Sequence, residues 1–259
     1  MIALQGVSRH YDTAGGTPIR ALHDVSLSAG EGEWLNIVGP NGSGKSTLLK
    51  LVAGELVPTN GRIQFAGDEI TGWSQEKRAA MIQYVAADTN SNLVPSMTIE
   101  ENLIVSRDNN GHPGFSYAYR SSRRRDICAI LQEFGLGLED RIDTQIRRLS
   151  SGEKQAVVVA KTFLRKVKAL LLDEFTGALD PAMAPRLLDI VRRLAADRNM
   201  TVLCVTHDLD LVIRTSARTV MLKNGCIYKT IEANEFFKND VYALYGREHL
   251  EHAVNDKTI

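Results

Sequence analysis

The chain has 259 residues, 44% of them hydrophobic, and its 31 basic and 31 acidic side chains give a formal net charge of zero. That length and hydrophobic content suit one large domain, or a domain with an inserted subdomain. The balanced charge excludes a global field that recruits nucleic acid or anionic lipid, so any such partner would need a local patch.

The cysteines and the apolar segments indicate the cellular compartment in which the chain is expected. Cys128, Cys204 and Cys226 are an odd set without metal-site spacing, which favours reduced thiols over a disulfide framework. The N-terminal residues show no basic region followed by an apolar stretch, and nowhere do about eighteen apolar residues run together. We therefore expect a soluble chain in the cytoplasm, linked to a membrane only through a partner.

The first third of the chain has a strand pattern. Alternating apolar positions predict antiparallel strands over residues 2–7 and 19–27. An apolar run predicts a buried strand over residues 34–38, and a helix is predicted over residues 47–53. Further strands are predicted over residues 62–65 and 82–85. The stretch from the 34–38 strand into the helix consists of Gly39, Pro40, Asn41, Gly42, Ser43, Gly44, Lys45, Ser46 and Thr47.

A glycine-rich turn between a strand and a helix is typical of a phosphate-binding loop, and residues 39–47 are given that name below. Consecutive N–H groups can point at an anion, and the helix N-terminus adds partial positive charge. Lys45 would reach the β- and γ-phosphates, while the Ser46 hydroxyl would ligate magnesium. Tyr11 offers a ring face for adenine; the alternative is an ordinary tyrosine at a strand end.

The middle of the chain changes to helical segments and polar loops. Helices are predicted from residue 98 and over residues 123–134, with an exposed loop over residues 108–114 between them. This pattern predicts an inserted helical subdomain over residues 88–165.

Strands and helices then alternate, which predicts parallel strands with crossover helices. The expected strands cover residues 169–174 and 201–205, with a helix over 182–196 between them and a hairpin of 219–222 with 226–228 after them. The predicted organisation is a catalytic core of residues 1–87 and 166–246, the helical subdomain, and a polar tail over 247–259.

Two strands end in polar residues. Asp173 and Glu174 follow an apolar run, at the end of a strand where open α/β sheets bind ligands. Asp173 suits a magnesium contact, and Glu174 is the candidate general base for attack on the γ-phosphate. His207 could donate a hydrogen bond to a γ-phosphate oxygen. Taken alone, the pair is a weak signal and an incidental loop histidine is the default.

A helix is also predicted after Ser150, over residues 154–164. Ser150 and Glu153 stand in the capping-box relation, so helix initiation is one interpretation. The other is a second anion site, built from the helix N-terminus, the hydroxyl and the close backbone approach that Gly152 permits. A single chain needs no second phosphate site, whereas a dimer that sandwiches a nucleotide does.

In this order, the phosphate-binding loop, residues 149–153, the acidic pair and His207 resemble the ATP-binding subunits of ABC transporters over nearly the whole length. The resemblance implies an α/β P-loop NTPase of ABC ATPase type, with a mixed sheet core, an antiparallel β subdomain and the inserted helical subdomain. It implies ATP and Mg²⁺ as cofactors. Residues 95–103 and 134–141 further resemble an importer subgroup often assigned to tryptophan or tyrosine uptake.

The resemblance also implies partners. In a homodimer each ATP lies between the phosphate-binding loop of one protomer and the second anion site of the other, while Asp180 matches a loop that crosses the interface. A transmembrane permease and a substrate-binding protein complete the complex on the inner face of the cell membrane, and no nucleic acid is expected. The residues implied to bind nucleotide in trans are Ser150, Ser151, Gly152 and Glu153.

Some positions depart from the family pattern. Ala87 stands where a magnesium-contacting glutamine is usual, so we expect slower or less tightly coupled hydrolysis. Ser151, Glu153 and Gly177 are milder changes. The first interpretation of the basic run over residues 120–125 is a solvated helix face. The second is a contact for a membrane subunit or lipid headgroups.

The sequence therefore predicts a magnesium-dependent ATPase that powers transport of a small molecule, with import the favoured direction. A soluble ABC ATPase is the alternative from another class, although it would need tandem domains, a coiled coil or basic surfaces. A regulatory module with weak hydrolysis is favoured only by Ala87.

Overall fold

A computed structural model describes residues 1–12, 16, 18–86, 92–105, 121–177 and 179–233. Two units are defined by contacts within the chain: Met1–Gln75 joins the chain from Thr201 onward, and Glu76–Met200 forms the other unit. Ala87, the predicted loop over residues 108–114 and the tail over 247–259 lie outside the described residues.

The first unit begins with an antiparallel sheet of four strands, β1 (Ile2–Tyr11), β2 (Ile19–Ala29), β4 (Asn60–Phe65) and β5 (Asp68–Glu69). Their order in the sheet is β2-β1-β4-β5. Ile2 lies opposite Ala29 on one side and Phe65 on the other, so β1 is the shared strand. Antiparallel pairing is as predicted, but the burial in β1 does not alternate, because Ile2, Ala3 and Leu4 are buried in succession.

The same unit holds the strand that precedes the phosphate-binding loop. This strand, β3 (Trp34–Val38), lies parallel to both β8 (Thr201–Val205) and β9 (Thr219–Lys223). The last strand, β10 (Cys226–Ile231), forms the predicted hairpin with β9. Strands buried on both faces read as continuous apolar runs, which is why β3 and β8 have the predicted bounds.

Two helices follow strands of this unit. Helix α1 (Lys45–Ala53) begins two residues before the predicted start, because Gly44 turns the chain at φ 102° without a side-chain cap. It ends at Gly54, whose N–H donates to the carbonyls of Leu51 and Lys50. Helix α7 (Leu209–Thr215) was not predicted; Asp208 caps it by accepting from two backbone N–H groups.

The second unit contains two parallel strands and most of the helices. Strand β6 (Ile82–Val85) pairs with β7 (Ala169–Asp173), with Tyr84 opposite Leu171. Helix α5 (Ser151–Phe163) contacts three other helices, so its apolar side chains form the centre of this unit. The other helices are α2 (Gln75–Ala79, which begins at the unit boundary), α3 (Ile99–Val105), α4 (Ser121–Gln132) and α6 (Met183–Asp197).

Several predicted boundaries in this unit are wrong. Helix α5 begins three residues earlier than predicted, at Ser151, directly after its cap Ser150. Strand β7 ends at Asp173, not at Glu174, because Glu174 adopts φ 46° and the chain leaves the strand there. Helix α4 begins two residues earlier than predicted, and it also ends two residues earlier, at Gln132. Beyond its end, the N–H groups of Phe134 and Gly135 donate to the carbonyls of Leu131 and Gln132, three residues back, so the chain leaves the α-helical pattern there. Throughout the described chain, no helix is long and apolar enough to cross a membrane.

Candidate nucleotide-binding site

The phosphate-binding loop lies against the backbone of two strands. A Cβ on Gly39 would stand 2.1 Å from the carbonyl oxygen of Leu222, and one on Gly44 would stand 2.4 Å from that of Ala21. Both glycines also have positive φ, 147° and 102°. Only glycine fits these two positions, so this conformation of the loop requires the two glycines of its sequence.

Lys45 closes over this loop. It is 5% exposed, and its Nζ donates to the carbonyls of Gly39 at 2.7 Å and Pro40 at 3.1 Å. Lys45 is the first residue of α1, and these two bonds hold its ammonium group against the loop that precedes the helix. An ammonium has three donors, so Lys45 can bind more than one acceptor at the same time.

Ser43 supplies the observation that calls for a ligand. Its Oγ is buried and has no hydrogen-bond partner in the described part of the chain. Buried polar atoms are nearly always paired, and those that are not commonly await a water, an ion or a ligand. A phosphate oxygen or its water would satisfy this hydroxyl, so the loop fits an anion.

His207 lies at the same edge of the sheet as the phosphate-binding loop. Strands β3 and β8 are parallel, and Gly39 and His207 come one and two residues after their respective ends. The Thr206 N–H donates to the Ile37 carbonyl at 3.3 Å, which ties the two strand ends together. The His207 side chain is exposed. His207 therefore follows the strand next to the one that leads into the phosphate-binding loop.

Tyr11 is the last residue of β1 and lines a cavity of about 420 Å³. The guanidinium of Arg9 lies over its ring, 4.9 Å from the centroid. A guanidinium on one face holds the ring in place through a cation–π contact. The cavity is lined by Arg9, His10, Tyr11, Asp12, Pro18 and Thr59.

The acidic pair belongs to the second unit. Asp173 is 5% exposed and accepts a hydrogen bond from the Tyr84 hydroxyl, with 2.8 Å between the oxygens. Glu174 is half-buried, and its carbonyl accepts from the Gly177 N–H in a turn. A positive φ at a non-glycine residue costs roughly 1–3 kcal/mol. The surrounding structure therefore holds Glu174 in a conformation that it would not choose alone.

The predicted capping box at α5 is confirmed. Ser150 Oγ accepts from the Glu153 N–H at 3.2 Å, and Glu153 Oε2 accepts from the Ser150 N–H at 2.8 Å. A hydroxyl that accepts can still donate its own proton. The two interpretations of Ser150 are therefore compatible, because one atom can begin the helix and donate to an anion.

Glu153 has a second partner in Arg141. Burial raises the pKa of Glu153, but hydrogen bonds from the Ser150 backbone and the Arg141 side chain outweigh it, and the pKa is lowered. The arginine offsets the carboxylate charge beside the helix N-terminus. The glutamate at this position is thus less repulsive to an anion than its charge alone suggests.

Two further sequence-predicted positions lie near the start of α6. Asp180 is exposed, and its Oδ1 accepts from the N–H groups of Ala182 at 3.0 Å and Met183 at 2.9 Å. Gly152 has side-chain atoms of Leu179 and Met183 at ordinary contact distance, 3.8–3.9 Å from where a Cβ would stand. Within the second unit, the start of α5 and the turn before α6 are therefore neighbours.

Magnesium would find only part of its ligand shell in the protein. Among the residues that the structure describes, no group of three or more histidine, cysteine or acidic side chains could hold a metal ion. This agrees with the chemistry, because Mg²⁺ in nucleotide sites takes phosphate oxygens and waters plus one or two protein ligands. The Ser46 hydroxyl and the Asp173 carboxylate are oxygen donors of the right kind.

Sequence reasoning missed Tyr84. Residues 82–85 and 169–173 each read as a strand, but local sequence does not say which strands are neighbours. Cys128, Cys204 and Cys226 form no disulfide bond with one another.

A loop with two positions that admit only glycine, a buried lysine bound to its carbonyls and a buried serine hydroxyl without a hydrogen-bond partner define a P-loop nucleotide-binding protein. The ABC transporter family model matches residues 22–177, and this chain belongs to that family. The predicted fold class and ATPase activity are thereby confirmed.

Curated relatives are similar over most of the chain. The tyrosine transport ATP-binding protein of Clostridioides difficile is 28% identical, covering 91% of this chain and 93% of that protein. The nitrate transport protein NasD of Klebsiella oxytoca is 35% identical, and the match covers 87% of this chain and 81% of that protein. The methionine import ATP-binding protein MetN of Ralstonia nicotianae is 32% identical over 87% of this chain, which spans 62% of that relative.

Solved structures agree. A dimeric bacterial ABC transporter cassette matches 91% of this chain and 100% of its own, with a TM-score of 0.80 and 28% identity. A dimeric ATP-binding cassette in a post-hydrolysis state, bound to ADP and Pi, matches the same shares with a TM-score of 0.78 and 27% identity.

Proposed function

We propose that this chain is the ATPase subunit of an importer, which binds and hydrolyses ATP as a homodimer to drive a separate transmembrane permease. The observation that carries the proposal is the phosphate-binding loop, with Lys45 held over its carbonyls and Ser43 Oγ buried without a partner. The names of the curated relatives, which serve tyrosine, methionine and nitrate transport, support the coupling to transport.

The phosphate-binding loop and Lys45 would bind the β- and γ-phosphates through backbone N–H groups and the ammonium. Tyr11 would stack on adenine in the cavity beside it. Ser46 and Asp173 would hold Mg²⁺, and the ion would supply positive charge beside the phosphate oxygens.

Hydrolysis needs a base and a donor. Glu174 would accept the proton of the attacking water, and its φ of 46° turns the chain out of β7 at this residue. His207 would donate to a γ-phosphate oxygen at the edge shared with the phosphate-binding loop. Each role depends on a side chain that follows the carboxyl end of a strand.

The second copy would complete the site. The N-terminus of α5 presents Ser150, Ser151 and Gly152 with Glu153 neutralised by Arg141, so it suits the γ-phosphate of the partner's nucleotide. Asp180 would lie on the loop that crosses between the protomers. The dimeric solved structures support this arrangement.

The complex would sit at the inner face of the cell membrane, with the chain held there by the permease and a substrate-binding protein presenting the cargo. The relatives serve an aromatic amino acid, a thioether amino acid and an inorganic anion, so the ATPase subunit does not fix the cargo. Residues 95–103 and 134–141 favour an aromatic amino acid.

Ala87 gives the proposal a measurable consequence. With no side-chain oxygen or amide at this position, hydrolysis should be slow or loosely coupled. The variant Ala87→Gln should raise the ATPase rate at limiting magnesium. An unchanged rate at both limiting and saturating magnesium would remove this explanation, and a wild-type rate indistinguishable from zero would favour a regulatory module.

The test of the whole proposal is purification of the tagged chain from membranes. We expect the tagged chain to co-purify with a membrane protein that has several transmembrane spans, and to hydrolyse ATP faster in that complex than alone. Recovery of an active ATPase only from the soluble fraction, without such a partner, would favour a soluble ABC ATPase instead.

A further inference from the structure

The Tyr84 hydroxyl reaches the carboxylate of Asp173 across two parallel strands. Tyr84 lies opposite Leu171 in the β6–β7 register, two residues before Asp173. Two strand residues span about 6.6 Å, and residues two apart share a face of the sheet. A tyrosine side chain directed along the strand covers that distance, and the oxygens stand 2.8 Å apart.

The surroundings make this hydrogen bond strong. Asp173 is 5% exposed, and the residues before it in β7, Leu170, Leu171 and Leu172, are fully buried and apolar. A hydrogen bond to a carboxylate gains strength where water is excluded, because the local dielectric constant is low. The phenol is therefore a donor that the neighbouring side chains of β7 cannot replace.

We propose that Tyr84 is the positioning residue for the metal-binding carboxylate of Asp173. Its hydroxyl holds the carboxylate in one rotamer, so that the group is ordered before the nucleotide and its metal arrive. The inference rests on the proposed function, in which Asp173 contacts Mg²⁺. A carboxylate has roughly four lone-pair sites, so it can accept the phenol hydrogen bond and still contact a cation.

Hydrogen-bond partners of metal-ligating carboxylates set metal affinity, and their loss typically costs about 10–100-fold. The variant Tyr84→Phe keeps the ring and removes only the hydroxyl. We expect it to weaken Mn²⁺ binding to the complex with the non-hydrolysable analogue AMP-PNP about 10-fold, measured by electron paramagnetic resonance of free Mn²⁺. Its affinity for AMP-PNP in EDTA should stay within about twofold of wild type, because the phenol acts on the metal ligand alone.

A matched control removes a hydroxyl elsewhere. Tyr228 is 61% exposed and lies on β10, so Tyr228→Phe should leave both affinities unchanged. If Tyr84→Phe lowers AMP-PNP affinity equally with and without metal, the residue supports the fold and the inference is overturned.

Asp173→Asn separates this inference from the proposed function. If Asp173→Asn weakens Mn²⁺ binding and Tyr84→Phe does not, the positioning role is wrong while the metal role of Asp173 stands. If neither weakens it, the metal role fails as well. In the double variant, the loss should equal that of Asp173→Asn alone, because the hydroxyl acts through that carboxylate; additive losses would contradict the inference.

Discussion

Gly44→Ala tests how the phosphate-binding loop is held. Gly44 has φ 102°, and a Cβ there would stand 2.4 Å from the Ala21 carbonyl oxygen and 2.6 Å from Leu22 Cδ2. The leucine end can move, but the carbonyl belongs to β2, which is paired with β1. Something in the backbone must therefore shift.

Two costs add at this position. A side chain in a sparsely populated φ region costs roughly 1–3 kcal/mol. Forcing an extra methyl group into packed structure typically costs about 1–3 kcal/mol more. The free energy of unfolding should fall by about 4 kcal/mol in all, which for a chain of this size corresponds to a melting temperature lower by ~8–16 °C.

Gly42→Ala is the matched control. Gly42 also has a positive φ, 78°, but nothing lies within 4 Å of a Cβ built there. This variant carries only the conformational cost, about 1.5 kcal/mol or ~3–6 °C. Differential scanning fluorimetry of both variants, with ATP binding measured alongside, checks the difference. If Gly44→Ala melts no lower than Gly42→Ala, the contact with β2 does not restrict the loop as described.

Three further predictions concern the loop and the start of α5. Lys45→Ala should weaken ATP binding about 10–100-fold by titration calorimetry, since hydrogen bonds to charged groups are worth about 1.5–3 kcal/mol; normal affinity would overturn its role. Ser150→Ala should cost about 1 kcal/mol of stability through the lost cap, while Ser151→Ala should leave melting unchanged. Because the pKa of Glu153 is lowered in the fold, its stabilisation is present above its unfolded pKa and is lost as pH falls through the folded value. The difference in melting temperature between wild type and Glu153→Gln should therefore shrink from pH 6 towards pH 3, and a constant difference would contradict this.

The sequence predicted the buried strands better than the helix ends. Strands β3, β6 and β8 have the predicted bounds. In β3 and β8 the reason is burial, because strands covered on both faces are mostly apolar between their turns. The start of α1 was placed late because its cap, Gly44, offers no side-chain signal. The positive φ of Glu174 was equally invisible, since it depends on the turn with Gly177.

The candidate site likewise has parts that the sequence predicted and one part that it did not. The phosphate-binding loop and the capping box of Ser150 and Glu153 are local sequence patterns, and the hydrogen bonds of Lys45 and Ser150 within them join residues only a few positions apart. The bond between Tyr84 and Asp173 joins residues 89 positions apart. It depends on which strands lie side by side, and the pairing of β6 with β7 is a property of the folded chain.

In the proposed homodimer, one chain supplies half of each ATP site and a second copy supplies the rest. Light scattering coupled to size exclusion tests it on Glu174→Gln, in which hydrolysis should be nearly abolished and bound ATP should persist. With ATP and Mg²⁺ we predict a species of twice the monomer mass, and a monomer with ADP or without nucleotide. A monomer at saturating ATP, or a dimer that forms regardless of nucleotide, would contradict the account.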